Sequence, residues 1–415
     1  MEKHKILPNS YLTGVLLGIN AIQDAYLWVD SPDCFFMKVD NIELNHDLNS
    51  TLRKPNGEHR ILSTISDVDN VIDNRNSSFV KTLSNMASKD YTNLIFVSSM
   101  PMSQVVGADY DGLINIVREE FPQKNIFNVP SRSMTDCWLE GYSDLLFSLS
   151  KNIDISGSNP GVNKVAIVGN MFDRNEGDCK GNVIELKNIF ESLGIKVVSV
   201  WLEGGNFDEI LKVKEASTII SLPYGRKAAK KIANRLGIDL LELDIPFGLN
   251  KTIAFINKVG EYFNLEKEKI EGFIKKELIE NGIGIIKHVV REEFIGKKIS
   301  YYGDPFLIDG IIDFSNTLGL EILEIYINGS EKHIKNNLEY KVISEVCGGN
   351  FSNDIDLIIS IRNNGVNIYD GKILEFSFPS YFYHVFTNNP YYGIKGGMNF
   401  INRIYNKILT NKNEK

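Results

Sequence analysis

The chain has 415 residues, 43% apolar and 24% charged, which is ordinary for a globular protein of about two to four domains. A formal net charge of −8 leaves no basic surplus to displace counterions from a phosphate backbone, so a nucleic-acid partner is not expected. The cysteines, Cys34, Cys137, Cys179 and Cys347, show neither zinc spacing nor a disulfide framework, and the apolar run Tyr11–Ile22 is too short to span a bilayer, so the expected location is the cytoplasm, with no membrane association.

In chain order, Leu12–Ala25 predicts a helix and Asp40–Gly57 a polar, irregular stretch. Tyr91–Ser98 (YTNLIFVS) predicts a buried parallel strand, and Asp109–Glu120 the helix after it. Lys151–Asn163 is rich in Gly, Ser, Asn and Pro and marks a linker. A pattern then appears twice. Lys164–Phe172 (KVAIVGNMF) and Lys298–Phe306 (KISYYGDPF) are each an apolar strand with a Gly-Asn or Gly-Asp turn. Each is followed by an amphipathic helix and a Leu-Gly stop, then by a second strand, Leu193–Val200 or Leu318–Ile325. The echo continues through Ser217–Leu222 and Asp356–Ile361, and then Gly237–Gly248 and Asp370–Ser380. The helical stripes are Val183, Leu186, Phe190 and Leu193 in one copy, and Leu307, Ile311, Phe314 and Leu318 in the other. The basic run Arg226, Lys227, Lys230, Lys231 and Arg235 reads as the solvated face of a helix.

The fold class is therefore α/β with mostly parallel sheets. A first α/β domain is expected at 1–155, a second Rossmann-like domain at 160–263, a bridging helix at 264–296, and a third Rossmann-like domain at 297–415, closed by a helix at Gly396–Leu409. Ligands on such sheets lie at the strand C-terminal ends.

Chemistry-bearing motifs are sparse. There is no Walker A run, no GxGxxG after a strand, no GxSxG and no HExxH. The histidines stand apart and read as surface or cap residues. His384 is the least bland, because it lies in the aromatic run Phe376–Phe386 just past a strand end.

Several segments, in order along the chain, resemble the nitrogenase component 1 family, which comprises nitrogenase α and β subunits, their cofactor-scaffold relatives and protochlorophyllide reductase subunits. Gly14–Cys34 is similar to the family's N-terminal helix and its His-Gly-Pro-x-Gly-Cys turn. Arg60–Asp73, Leu94–Asp109, Val129–Gly141, Gly237–Thr252 and Asn389–Gly397 resemble later family segments. The resemblance implies three Rossmann-like domains, in agreement with the repeats.

It also implies an iron–sulfur cluster at a subunit interface, held by cysteines of the first domain, since soft anionic thiolates suit iron. Of three family cysteine positions only Cys34 is kept. The others fall near Pro8-Asn9 and Met100-Pro101. The family positions that anchor the large iron–molybdenum type cofactor fall near Leu222 and Ser377, so no such cofactor is expected. Asp30 and Asp33 beside Cys34 are alternative oxygen ligands or turn acceptors. Met100 packs by a cluster or in the core. Tyr383, His384, Tyr391 and Tyr392 line a pocket for a planar macrocycle or pack between domains.

The expected function is thus a subunit of a nitrogenase-like, iron–sulfur-dependent oxidoreductase. The chain would be the ligand-poor partner, with Cys34 as a single ligand to a 4Fe–4S type interface cluster. A sister component 1-like subunit would give the remaining ligands, and an ATP-dependent iron–sulfur reductase, the iron protein, would give electrons. Cys34 also reads as an ordinary free cysteine. The alternative function is a non-redox scaffold or a cofactor- or small-molecule-binding protein on the same fold.

Overall fold

Three parallel sheets carry the fold in the computed structural model, which describes residues 3–5, 9–64, 75–101, 108–334, 342–343, 345–347, 354–361 and 372–413. The first sheet holds β1 (Ala25–Asp30), β2 (Ile61–Ser63), β3 (Leu94–Ser99) and β4 (Asn125–Asn128), in the order β2-β1-β3-β4. The second holds β5 (Lys164–Val168), β6 (Lys196–Val200), β7 (Thr218–Ser221) and β8 (Asp239–Glu242), in the order β6-β5-β7-β8. The third holds β9 (Lys298–Gly303), β10 (Glu321–Ile327), β11 (Val342–Ile343), β12 (Leu357–Ser360) and β13 (Ile373–Glu375), in the order β11-β10-β9-β12-β13.

Apart from β11, each sheet follows the same 2-1-3-4 order. The unit that the sequence repeats twice therefore occurs three times in space. Strands such as LIFVSS, TIIS and LIIS are buried along their whole length, as expected for parallel strands covered on both faces. The order reverses between the first and third strand of each sheet, which opens a crevice at their C-terminal ends.

The first copy is hidden in the sequence because the expected helix Leu12–Ala25 overruns. The helix is Tyr11–Asn20, and Ala25 already begins β1. Polar groups stop it. Asn20 donates to Asp47 Oδ2 at 2.7 Å and accepts from Thr51 N at 2.8 Å. The fully buried Arg60 donates to the carbonyls of Ile22 at 2.8 Å and Ile19 at 3.2 Å. Burial pulls the Arg60 pKa down to about 10, which still leaves it charged at neutral pH.

The chain divides into two compact units. One comprises Asn9–Asn175 and Val197–Glu242 and contains the first sheet. Its core includes Trp28, Phe79, Leu83, Ile95, Val97 and Ile114. The helix Tyr11–Asn20 lies directly on Trp138–Asn152. Glycines make that approach possible: a Cβ at Gly14 would stand 1.7 Å from the Trp138 carbonyl oxygen, and one at Gly141 1.9 Å from that of Tyr11. The basic helix Arg226–Leu236 buries Ala228, Ala229, Ile232 and Ala233. Its Arg235 is not simply solvated, because it donates to the carbonyls of Ser150 at 2.8 Å and Ile153 at 2.9 Å. Within Asp40–Gly57, expected to be irregular, the helix Phe36–Asn41 runs on into a π turn, Ile42–His46.

The other unit comprises the N-terminal segment Met1–Pro8, Glu176–Lys196 and Leu243–Lys415. Lys3–Lys5 pairs antiparallel with Glu345–Cys347. Both predicted helical stripes are buried, on Gly177–Ser192 and on the turn and helix Pro305–Leu318. Phe247 sits among Phe314, Phe376, Tyr391 and Phe400, with ring centroids 5.2–5.8 Å away. The stretch 264–296 holds Lys267–Glu280 and Ile283–Val289, broken at Asn281-Gly282, in place of one helix. The closing helix is Gly393–Asn413, longer than predicted. Residues 65–74, 102–107 and 370–371, which carry parts of the motifs and repeats above, lie outside the described residues, as do Pro8 and the side chain of Cys347.

Candidate functional site

The C-terminal end of the first sheet gathers the polar residues of that crevice. β1 ends at Asp30, and Ser31-Pro32 leads into the short 3-10 turn Asp33–Phe35. Phe35 is fully buried and anchors the turn, leaving Asp33 and Cys34 exposed. Among the described residues, no three His, Cys, Asp or Glu side chains come together as a metal site. Among the described residues, Cys34 therefore has no companion ligands for an iron–sulfur cluster. An exposed thiol in a turn does fit the supply of one ligand from outside the core.

What surrounds the strand ends is hydroxyl. Asp30, 1% exposed, accepts from Tyr110 OH at 2.6 Å and from Thr64 Oγ1 at 3.0 Å. Sequence offers Asp30 as a ligand or a turn acceptor; its carboxylate instead ties three connections of the sheet together. Ser63 Oγ donates to the Ser31 carbonyl at 2.8 Å, which leaves Ser31 Oγ as the donor in their 2.8 Å hydroxyl pair. Met100 donates its backbone N–H to the Asp30 carbonyl at 2.9 Å, so β1 and β3 are still paired where they leave the sheet.

Beside these lies a cavity of about 220 Å³, lined by Ser98, Ser99, Tyr110, Asn128, Pro130 and Ser131 among others. Ser98 and Ser99 are each 1% exposed, and their hydroxyls find no hydrogen-bond partner among the described residues. A buried hydroxyl left without a partner is destabilising, so a polar group or a water in the cavity would relieve this wall. By sequence alone these serines are the tail of a buried strand. Adjacent hydroxyls at a strand's C-terminal end are the signal that could have found them.

A buried acid network abuts the same cavity. The Tyr11 hydroxyl contacts the Pro130 carbonyl and Asp144 Oδ2, the latter at 3.0 Å. Arg132 Nε lies 3.6 Å from Asp144 Oδ2. Burial, reinforced by Asp144, raises the Tyr11 pKa well above the phenol range, and burial raises that of Asp144 despite Arg132. Tyr11 therefore stays protonated and serves as a donor. Neither residue stands out in the sequence, because they are separated by more than a hundred positions and meet only through the Gly14–Gly141 crossing.

The remaining sequence candidates are dispersed. Cys137 begins Trp138–Asn152, and its thiol and N–H both donate to Glu140 Oε2, at 2.9 and 3.0 Å. Burial and Glu140 push that thiol up to about 12. Cys179 is 1% exposed. Leu222 is fully buried, and Ser377 holds a left-handed backbone with φ 71°. His384 Nδ1 lies 2.8 Å from Glu176 Oε1, with Val385 N donating to Glu176 Oε2 at 2.7 Å, so it clamps a loop to a helix start. Tyr392 is fully buried and Tyr391 belongs to the Phe247 cluster, whereas Tyr383 lines a cavity of the same unit.

The comparisons accord with this frame. A solved structure, "Nitrogenase Cp1 at pH 6.5", superposes with a TM-score of 0.76 at 16% identity, covering 99% of this chain and 93% of that one. The nitrogenase molybdenum-iron protein beta chain of Methanothermobacter thermautotrophicus is 22% identical over 427 aligned positions, 88% of this chain and 86% of that protein. A light-independent protochlorophyllide reductase subunit of Angiopteris evecta is 30% identical over 154 positions, 35% of this chain and 29% of that protein. Among the described residues no helix is long and apolar enough to cross a membrane. The model of the family "Nitrogenase component 1 type Oxidoreductase" matches residues 14–409, and the chain belongs to that family.

Proposed function

We propose that the chain is the ligand-poor subunit of a cytoplasmic, nitrogenase-like oxidoreductase complex, with domains at 1–155, 160–263 and 297–415. Cys34 donates one thiolate to a 4Fe–4S type cluster at an interface, and a sister component 1-like subunit donates the rest. When bound, the cluster supplies one-electron transfer, fed by an ATP-dependent iron protein. The observation that carries this reading is the exposure of Cys34 at the end of β1 with no further metal-ligating cluster around it among the described residues. An exposed thiol on a short, anchored turn is accessible to a second chain without movement of the core. Leu222 and Ser377 offer no thiolate or imidazole, which supports a complex in which this chain holds no iron–molybdenum type cofactor.

The test is the co-expressed pair. The reading expects broad absorption near about 400 nm from sulfide-to-iron charge transfer, with loss of iron and acid-labile sulfide in Cys34→Ala. A colourless, iron-free pair overturns it.

The partnerless hydroxyls of Ser98 and Ser99 favour a second reading, a non-redox subunit that binds a small polar molecule at the end of the first sheet. An iron-free complex whose thermal stability falls in Ser98→Val supports that reading. Equal or greater stability in that variant removes it.

A further inference from the structure

A separate concave site lies in the unit that contains the third sheet. β13 is the last strand in its sheet order, and the helix Gly393–Asn413 packs beside it. Between them is a cavity of about 630 Å³, within the usual range of small-molecule sites. Its helical wall presents Arg403, Asn406, Lys407 and Thr410. Their spacing of i, i+3, i+4 and i+7 places all four on one face. A stripe at that spacing is ordinarily the apolar face of a helix. Here the apolar residues Ile401, Ile404 and Ile408 are buried on another face, and the cavity receives two cations, an amide and a hydroxyl.

The opposite wall includes Ile373, Leu374 and Phe382, the last 73% exposed, and the Tyr383 ring carries the Arg403 guanidinium 3.6 Å from its centroid. Arg403 Nη2 also donates to the Glu375 carbonyl, which fixes the cation in place. Among the described lining residues the one carboxylate, Glu375, is engaged within its own loop: Oε1 accepts from Ser380 Oγ at 2.9 Å, Phe382 N at 3.0 Å and Tyr381 N. Lys407 forms no ion pair among the described residues. A fixed guanidinium beside an unpaired ammonium, facing an exposed aromatic ring, recognises negative charge and a flat apolar surface together.

We propose that this cavity binds an organic anion with a flat apolar body, its charge on Lys407 and Asn406 beside Arg403 and its body across Phe382. The site is independent of Cys34 and of any cluster, so its failure leaves the proposed subunit role untouched.

The test is calorimetric titration of the full chain with 2-naphthoate, with 2-naphthalenemethanol as the uncharged probe of similar shape. One saturable site is expected, weakened at least tenfold by Lys407→Glu and about threefold by Phe382→Ala. The uncharged probe binds at least tenfold more weakly and is insensitive to Lys407→Glu. If melting shows Lys407→Glu to be misfolded, Lys407→Gln is read in its place, with a loss of at least threefold expected. Absence of saturable binding, or binding unchanged by the Lys407 variant, overturns the proposal.

Discussion

Tyr110 OH donates to Asp30 Oδ2 at 2.6 Å, joining the first turn of the helix after β3 to the end of β1. With Thr64 Oγ1 on the other carboxylate oxygen, one buried acid holds three loops at the mouth of the first sheet. Removing the hydroxyl leaves a buried acceptor short of a partner, at a cost of about 1–3 kcal/mol. Tyr110→Phe is therefore expected to reduce hydrogen-exchange protection in Ala25–Asp30 and Leu94–Ser99 by that amount. Protection equal to that of the native chain would show the bond to be incidental.

The glycine crossing gives a second test. At Gly141 a methyl group meets backbone, not a movable side chain, so Gly141→Ala must push two helices apart. We expect a loss of at least about 3 kcal/mol, or a chain that no longer accumulates in soluble form. Gly272 lies in the helix Lys267–Glu280 with nothing within 4 Å of its added Cβ. Gly272→Ala should raise stability by about 0.5–1 kcal/mol. Similar melting shifts in both variants would refute the close-packing account.

Glu185 makes stability depend on pH. It is 5% exposed, and burial, opposed by Lys395 and aided by Glu277, pushes its pKa up to about 7. The folded state then holds a proton that the unfolded state has released between pH about 4.5 and 7. The favourable contribution is full below about 4.5 and is lost as pH rises through about 7. Glu185→Gln should flatten the pH dependence over that window and raise stability above pH 7 by up to about 3 kcal/mol. Melting curves from pH 5 to 8 would contradict this if the variant tracked the native chain.

The three described cysteines should separate by reactivity. The isolated native chain is expected to react with a maleimide at Cys34, while Cys137, held by Glu140, and the buried Cys179 stay unmodified until unfolding. Assembly with a sister subunit should protect Cys34. Peptide mass spectrometry that found Cys34 equally labelled in the assembled complex would exclude it from the interface.

The fold was legible where periodicity was strong. Val183, Leu186, Phe190 and Leu193 announce a buried helical stripe, and KVAIVG and KISYYG announce strands that end in turns. The first sheet was obscured because AYLWVD follows an apolar helix with only a few residues between, and the groups that stop that helix, Arg60 and Asp47, come from far along the chain. At the candidate site, Cys34 was visible through the resemblance of Gly14–Cys34 to the family's cysteine-bearing turn. The hydroxyl wall and the Tyr11–Asp144 contact were not, since serines at a strand end and residues 133 positions apart become neighbours only once the parallel order and the Gly14–Gly141 crossing are in place.

The central claim is that Cys34 is a cluster ligand shared with another chain. Iron and acid-labile sulfide per complex, measured side by side for the native co-expressed pair and for Cys34→Ala at equal subunit stoichiometry, address it directly. The account predicts substantial iron and sulfide in the native complex and a marked loss of both in the variant. Equal iron and sulfide in the two complexes would contradict it.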